Sequence, residues 1–178
     1  MSKLKKIILS GLLLSLLIVF DRFISIKTLY LQVSFSFLPI AIAAILLGPK
    51  YSTLIAVFGD LIGSILWPFG EYFVGFTIVD AIIGLIMGLF LYNKNEGEFF
   101  EGKSLLIRLA ISSALILWVI ELPCMSFMLS ILYGNAFLVI LTGRLATKLV
   151  MFPIQISIIY FLSKYIKKLA QKYLFNEA

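Results

Sequence analysis

The sequence contains no histidine and a single cysteine, Cys124, among its 178 residues. Histidine is the commonest metal ligand and the usual proton shuttle near neutral pH, so its absence argues against most metal centres and acid–base enzymes. One cysteine permits neither an internal disulfide nor a cysteine cluster. We therefore predict that the chain is not an enzyme and has no catalytic residues, no metal site and no cofactor.

Charged residues are also scarce, because Asp, Glu, Lys and Arg make up 13% of the chain whereas 62% of it is apolar. An average soluble domain is about 25% charged and about 45–50% apolar. A soluble fold of this size cannot hide so much apolar surface, so lipid must be the solvent over most of it. The sequence predicts an integral membrane protein with one domain over residues 1–178.

Apolar runs of about 20 residues, long enough to cross a bilayer as helices, divide the chain. Before the polar loop 93–104, the predicted spans are 7–26, 28–49, 51–70 and 72–93. The turn signal at 133–135 divides the following apolar tract into two further helices. Pro123 and Pro153 are predicted to kink helices rather than end them. The predicted fold is all-α, a single bundle of six transmembrane helices.

The distribution of lysine and arginine predicts that both termini are cytoplasmic. With six spans and the N-terminus inside, eleven basic residues lie on the cytoplasmic side and four on the outer side. The eleven are Lys3, Lys5, Lys6, Lys50, Lys94, Lys103, Arg108, Lys164, Lys167, Lys168 and Lys172; the four are Arg22, Lys27, Arg144 and Lys148. This asymmetry follows the positive-inside rule. It explains the net charge of +6 without nucleic-acid binding.

Residues 97–104 (GEFFEGKS) match the phosphate-binding pattern G-x-x-x-x-G-K-[ST] at every position. The pattern binds phosphate only where a strand precedes the loop and a helix follows it. Here the segment joins two membrane spans, and Glu98 and Glu101 place negative charge where phosphates would bind. We interpret it as an ordinary loop and predict no ATP hydrolysis by this chain.

Ionisable residues inside membrane spans are costly and are therefore candidate binding residues. Arg144 and Lys148 lie four residues apart and share one face of the last helix. They either receive an anionic group or pair with a carboxylate in the spans: Glu121, Asp60 or Asp80. For the two aspartates we favour a structural role, in which they cap bends or bond neighbouring helices.

Residues 66–77, between the third and fourth helices, are rich in aromatic side chains around Pro68, Gly70 and Gly75. The aromatic residues are Trp67, Phe69, Tyr72, Phe73 and Phe76. An interfacial aromatic belt explains such a composition. A loop that stacks on a planar ligand explains it equally well.

Pairs of small residues four apart allow helices to approach closely. They are Gly11/Ser15, Gly59/Gly63 and Gly84/Gly88. Most of these pairs are expected to serve packing inside the bundle, whereas the pair on helix 1 could equally dock a partner helix.

Several tracts, in order along nearly the whole chain, resemble the substrate-binding S components of energy-coupling factor (ECF) vitamin transporters, folate-type family. The tracts are 22–28, 33–49, 59–63, 68–77, 129–134 with Arg144, and 151–155. The resemblance implies a six-helix, multi-pass protein of the prokaryotic plasma membrane that captures a vitamin from outside. It also implies association with a transmembrane coupling subunit and two ATPase subunits, through Gly11 and Ser15 on helix 1.

The resemblance places the substrate pocket in the outer half of the bundle, below the loop after helix 1 and the loop between helices 3 and 4. Val74, Met125 and Met128 depart from the family pattern, so a different planar vitamin or precursor is an alternative to folate. A stand-alone secondary transporter is a further alternative, although the sequence shows no inverted repeat.

Folate carries a flat pterin, an aminobenzoate and a glutamate tail with two carboxylates, so rings and cations are the expected binding groups. The candidate substrate-binding residues are Arg22, Trp67, Phe69, Tyr72, Phe73, Phe76, Glu121, Tyr133, Asn135, Arg144 and Lys148. Arg22, Arg144 and Lys148 are candidates for the carboxylates, and Glu121 and Asn135 for the pterin edge.

Overall fold

The computed structural model describes residues 1–27, 32–68, 70–95 and 98–172. Its helices are α1 (Lys3–Arg22), α2 (Phe37–Leu47), α3 (Pro49–Leu66), α4 (Val74–Leu91), α5 (Gly102–Tyr133) and α6 (Phe137–Ala170). Two short antiparallel strands, β1 (Ile26–Lys27) and β2 (Gln32–Val33), form a hairpin between α1 and α2. The six helices of the described ranges form one bundle, which confirms the predicted all-α membrane fold.

Three of these helices, α4, α5 and α6, are long and apolar enough to cross a membrane on length and composition alone. The last tract forms two helices rather than three, as predicted. The break falls at Gly134, which has a left-handed backbone (φ +66°) and caps the C-terminus of α5. Pro123 and Pro153 both lie inside helices, which confirms the prediction that they do not end them.

The second helix is much shorter than predicted, because it begins at Phe37 and not at residue 28. Hydropathy alone cannot distinguish an apolar strand from an apolar helix. Val33 pairs with Ile26 in the hairpin, and the Ser34 hydroxyl accepts a hydrogen bond from the Ser36 backbone N–H at 3.1 Å. This serine bond offers the backbone an alternative to helix and delays its start.

Helix α2 lies in the interior of the bundle. Nine of its eleven residues are buried. It packs against α1, α3, α4 and α6. Lipid-facing apolar side chains are found instead on the surrounding helices, for example Ile7 on α1, Leu89 on α4 and Phe161 on α6, each more than 60% exposed.

Small residues set the closest helix contacts. A Cβ on Gly84 would lie 2.6 Å from the Ser52 carbonyl, and a Cβ on Gly88 would collide with the Pro49 backbone. The predicted internal role of these glycines is therefore confirmed. A Cβ on Gly11, in contrast, would have no atom of the described residues within 4 Å, so within the described structure this face of α1 is open.

The middle of α5, Leu115–Glu121, is π-helical. Pro123 explains the change, because it has no N–H to donate to the carbonyl four residues earlier and its ring crowds that carbonyl. The neighbouring Leu122 N–H bonds instead to the Leu117 carbonyl, five residues back. The wider turn directs Ile116, Leu117 and Glu121 towards the interior cavity.

The loop between α4 and α5 packs against the helices at its end of the bundle. The Arg108 guanidinium lies 3.7 Å from the centre of the Phe100 ring, and the Lys167 ammonium group donates to the Phe100 carbonyl. Lys103 and Ser104 are exposed in the first turn of α5, and the described part of this loop contains no strand. This geometry agrees with the interpretation of the GEFFEGKS segment as an ordinary loop.

Candidate functional site

A cavity of about 240 Å³ lies within the bundle and is lined by all six helices. One face of α6 contributes Arg144, Lys148, Met151 and Gln155, which follow one another at intervals of four, three and four residues. This spacing places them on the same side of the helix. The cavity is therefore elongated along the axis of α6.

The exposed residues of the cavity lining, Pro68, Gly70, Glu71 and Tyr72, all lie in the α3–α4 loop, so we take this end of the cavity, beside the end of α5, as its mouth. Gly70 and Tyr133 both line it, and a Cβ on Gly70 would lie 2.7 Å from the Tyr133 hydroxyl. Gly70 also has a positive φ of +77°, which favours glycine at this position. The loop backbone can therefore approach the tyrosine closely only because residue 70 lacks a side chain.

The cavity extends beyond the start of the short helix α2. Helix α2 rises about 16 Å, whereas α3, which follows it directly, rises about 27 Å. Ser34, Ser36 and Phe37 line the cavity where a longer α2 would have continued. These three residues therefore form part of the wall that a ligand in the cavity would contact.

Arg22 is held by groups at the ends of α1 and α3. Its guanidinium forms an ion pair with Asp21 (3.1 Å) and donates to the Ser64 hydroxyl (3.1 Å) and the Trp67 carbonyl (3.2 Å). The Asp60 carboxylate lies 3.8 Å away. The side chain is 9% exposed and lines the cavity. It therefore joins α1 to α3 beside the mouth.

Asp60 connects this arginine to α4. Its carboxylate accepts a hydrogen bond from the Thr77 hydroxyl at 2.6 Å, and the Tyr72 hydroxyl lies 2.7 Å from the same threonine oxygen. The prediction that Asp60 bonds a neighbouring helix is confirmed. Because Asp60 and Tyr72 also line the cavity, the network forms part of its wall.

Arg144 and Lys148 both lie in the cavity wall, 7% and 6% exposed. The Lys148 ammonium group forms an ion pair with the Glu121 carboxylate, which joins α6 to the π-helical segment of α5. The sequence left open whether Lys148 receives an anionic group or pairs with a carboxylate in the spans. In the structure it pairs with Glu121. A buried cation needs such compensation. Asp80, which lines the cavity too, adds a further carboxylate to this region.

The aromatic candidates are divided between the cavity and its surroundings. Tyr72, Phe76 and Tyr133 line the cavity. Trp67 is instead 45% exposed and packs edge-to-face on Phe23, with the ring centres 5.4 Å apart. The exposed Trp67 fits the interpretation of the segment as an interfacial aromatic belt. Tyr72 and Phe76, which line the cavity, fit the interpretation as a loop that stacks on a planar ligand.

Three candidate substrate-binding residues remain. Phe73 and Asn135 are not among the residues that line the cavity, and the third is Phe69. Phe73 packs edge-to-face on Phe76, with ring centres 6.0 Å apart. Asn135 is exposed, and its side-chain amide donates to the Tyr133 carbonyl at 3.3 Å. Phe69 lies outside the described residues.

Sequence reasoning missed Gln155 as a cavity residue. The signal was its spacing, because it follows Arg144 and Lys148 by eleven and seven residues on one helix face. Asp21, Ser34 and Ser36 also line the cavity without having been predicted. Their positions depend on where α1 ends and α2 begins, which hydropathy did not fix.

Comparisons with known proteins agree with this architecture. The family model described as "ECF transporter, substrate-specific component" matches residues 5–163. The folate transporter FolT of Clostridium novyi (strain NT) is 32% identical over 160 residues, covering 90% of this chain and 88% of the relative. The folate transporter FolT of Leuconostoc mesenteroides subsp. mesenteroides is 32% identical over 163 residues, covering 89% and 84%.

A solved structure of similar fold is the crystal structure of FolT bound with folic acid. It matches with a TM-score of 0.80 and 29% sequence identity, covering 90% of this chain and 93% of the other. These matches confirm the resemblance noted in the sequence and the multi-pass membrane location. The chain belongs to the substrate-specific components of ECF transporters.

Proposed function

We propose that this chain is the high-affinity substrate-binding subunit of an ATP-driven ECF importer, and that it captures folate or a reduced folate from outside the cell. The chain itself catalyses no reaction under this proposal. The observation that carries it is an elongated cavity with rings and buried cations, in a fold similar to that of FolT bound with folic acid.

The cavity wall suits the chemistry of folate. Tyr72, Phe76 and Tyr133 supply aromatic surfaces for the flat pterin and aminobenzoate. Arg144 and Lys148 supply buried positive charge for the glutamate carboxylates. Arg22 contributes positive charge at the mouth, although its guanidinium already contacts Asp21.

The partners under this proposal are a transmembrane coupling subunit and two ATPase subunits. Support comes from α1, where Gly11 and Ser15 lie on an exposed face and no described atom lies within 4 Å of a Cβ built on Gly11. Such a face lets a partner helix approach closely.

The partner surface is tested by Gly11→Leu, with Ser157→Leu on the exposed face of α6 as the matched control. We expect Gly11→Leu to abolish folate uptake by the complete transporter while folate binding to the isolated chain stays unchanged. Normal uptake by Gly11→Leu would contradict the proposed interface.

The ligand is identified by mass spectrometry of the small molecule that stays bound during purification in detergent, followed by titration with folic acid, thiamin and riboflavin. We expect a folate to be retained and folic acid to bind far more tightly than the other two. Equal or tighter binding of another vitamin would favour the alternative S component. Uptake that persists without any ATPase subunit would favour a secondary transporter.

A further inference from the structure

Gln155 is a buried polar residue in the wall of the cavity. It is 3% exposed and lines the cavity. Within the ranges that the structure describes, its carboxamide makes no hydrogen bond or ion pair. In the described part of the chain, the fully buried side-chain atoms without a partner belong to other residues, so the Gln155 amide faces the cavity, where water or a ligand can bond it. A partner for Gln155 is therefore expected to enter through the cavity.

Gln155 marks the end of the cavity that is far from the mouth. It follows Arg144 by eleven residues, which corresponds to about 16 Å along the helix axis. The apolar side chains Met87 and Met151 line the cavity in the same inner region. The wall of α6 thus changes from charged near the mouth to uncharged at Gln155.

This gradient determines which end of an elongated ligand reaches Gln155. The carboxylates of folate match the cations Arg144 and Lys148, whereas an uncharged inner end matches a flat, neutral heterocycle. A neutral heterocycle still needs its hydrogen-bonding edge satisfied when it leaves water. Gln155 is the side chain at that end with a donor and an acceptor available.

We propose, resting on the proposed function, that Gln155 determines specificity by binding the lactam edge of the pterin ring. That edge presents an N3–H donor beside a C4 carbonyl acceptor, on the side of the ring opposite the aminobenzoate. A carboxamide presents an acceptor and a donor side by side and is complementary to it. The ring enters first, and the glutamate tail stays near Arg144.

The first test compares folic acid binding by Gln155→Met, Gln155→Asn and the matched control Gln171→Met, an exposed residue directly after the end of the same helix. We expect Gln155→Met to weaken binding about tenfold or more. Gln155→Asn should weaken it as well, because the shorter side chain cannot reach the same edge, and the control should not change it. An affinity of Gln155→Met within about twofold of the wild type would overturn the assignment.

The second test separates recognition from a structural role. Aminopterin has a 4-amino group in place of the carbonyl, so its edge presents a donor where folic acid presents an acceptor. A carboxylate only accepts hydrogen bonds. Gln155→Glu should therefore shift the affinity ratio towards aminopterin by about fivefold or more. An unchanged ratio would overturn the lactam assignment, even if folic acid bound more weakly.

The two proposals fail in different ways. Absence of folic acid binding by the unmodified chain would overturn the proposed function. Normal wild-type binding with unaltered behaviour of the Gln155 variants would overturn only this inference. Thermal unfolding in detergent shows which variants fold, and if Gln155→Met does not, the Asn and Glu variants carry the test.

Discussion

At the scale of single residues, the three cations of the cavity differ in their surroundings. The Arg22 guanidinium contacts groups of α1 and α3, and the Lys148 ammonium group contacts Glu121. Arg144 lies one helical turn from Lys148 on the same face of α6, closer to the mouth. Substituting Arg22, Arg144 and Lys148 one at a time can therefore measure what each contributes to binding.

We predict that Arg144→Ala weakens folic acid binding at least about tenfold, equivalent to about 1.4 kcal/mol, because a buried charge-assisted contact to a ligand carboxylate is lost. Titration of the purified variant measures the effect. Lys164→Ala, which removes an exposed cation from the same helix, should leave the affinity unchanged. Retained affinity in Arg144→Ala would exclude it from the site.

We predict that Lys148→Met destabilises the bundle by about 3–5 kcal/mol, because it leaves the Glu121 carboxylate without its ion-pair partner. Adding Glu121→Gln should restore most of the stability, since neither charge then remains. Unfolding of the two single variants and the double variant in detergent measures the coupling. Additive effects would show that the pair contributes no coupling energy.

At the scale of elements, α3 and α4 pack with their backbones in close contact. Gly84 and Gly88 lie one turn apart on α4 and face the first turn of α3, where Ser52 donates a hydrogen bond to the Gly84 carbonyl at 2.7 Å. Backbone atoms rather than flexible side chains occupy the opposite surface. These helices therefore have little freedom to separate.

We predict that Gly88→Ala destabilises the protein by about 1–3 kcal/mol, because its Cβ would overlap the Pro49 backbone and the helices would have to shift. Gly11→Ala is the control, since the added methyl group would lie within 4 Å of no atom in the described part of the chain. Thermal unfolding in detergent compares the two variants. Equal stability of both would mean that α3 and α4 repack without cost.

The elements show how far sequence reasoning extends. Six helices and the break at Gly134 were predictable, because apolar length and turn residues are local signals. The start of α2 at Phe37 was not, since the hairpin residues before it are as apolar as a helix. The cavity role of Gln155 was also missed, because lipid-exposed and buried faces are both apolar in a membrane and the periodic pattern is weak.

At the scale of the whole molecule, the orientation in the membrane is still a prediction. Lys94 in the α4–α5 loop and Lys103 and Arg108 in the first turns of α5 lie at the opposite end of the bundle from the cavity mouth, so this end should be cytoplasmic. The mouth, beside the α3–α4 loop, should then face outside.

We predict that a cysteine at Glu71 reacts with a membrane-impermeant thiol reagent in intact cells, because Glu71 is exposed at the cavity mouth. A cysteine at Lys103, exposed at the start of α5, should react only after the cells are permeabilised. Both variants are made with Cys124→Ser, so that no other thiol is present. The reverse pattern of labelling would show that the chain has the opposite orientation in the membrane and would contradict the prediction.

The shortness of α2 has a consequence for the lifetime of the protein in the cell. A bound substrate occupies space that polypeptide fills in an ordinary bundle, so it holds the surrounding helices together as a buried side chain would. Ligand that binds only the folded form stabilises it by mass action. We therefore expect unoccupied copies to unfold more readily than occupied ones and to be degraded first.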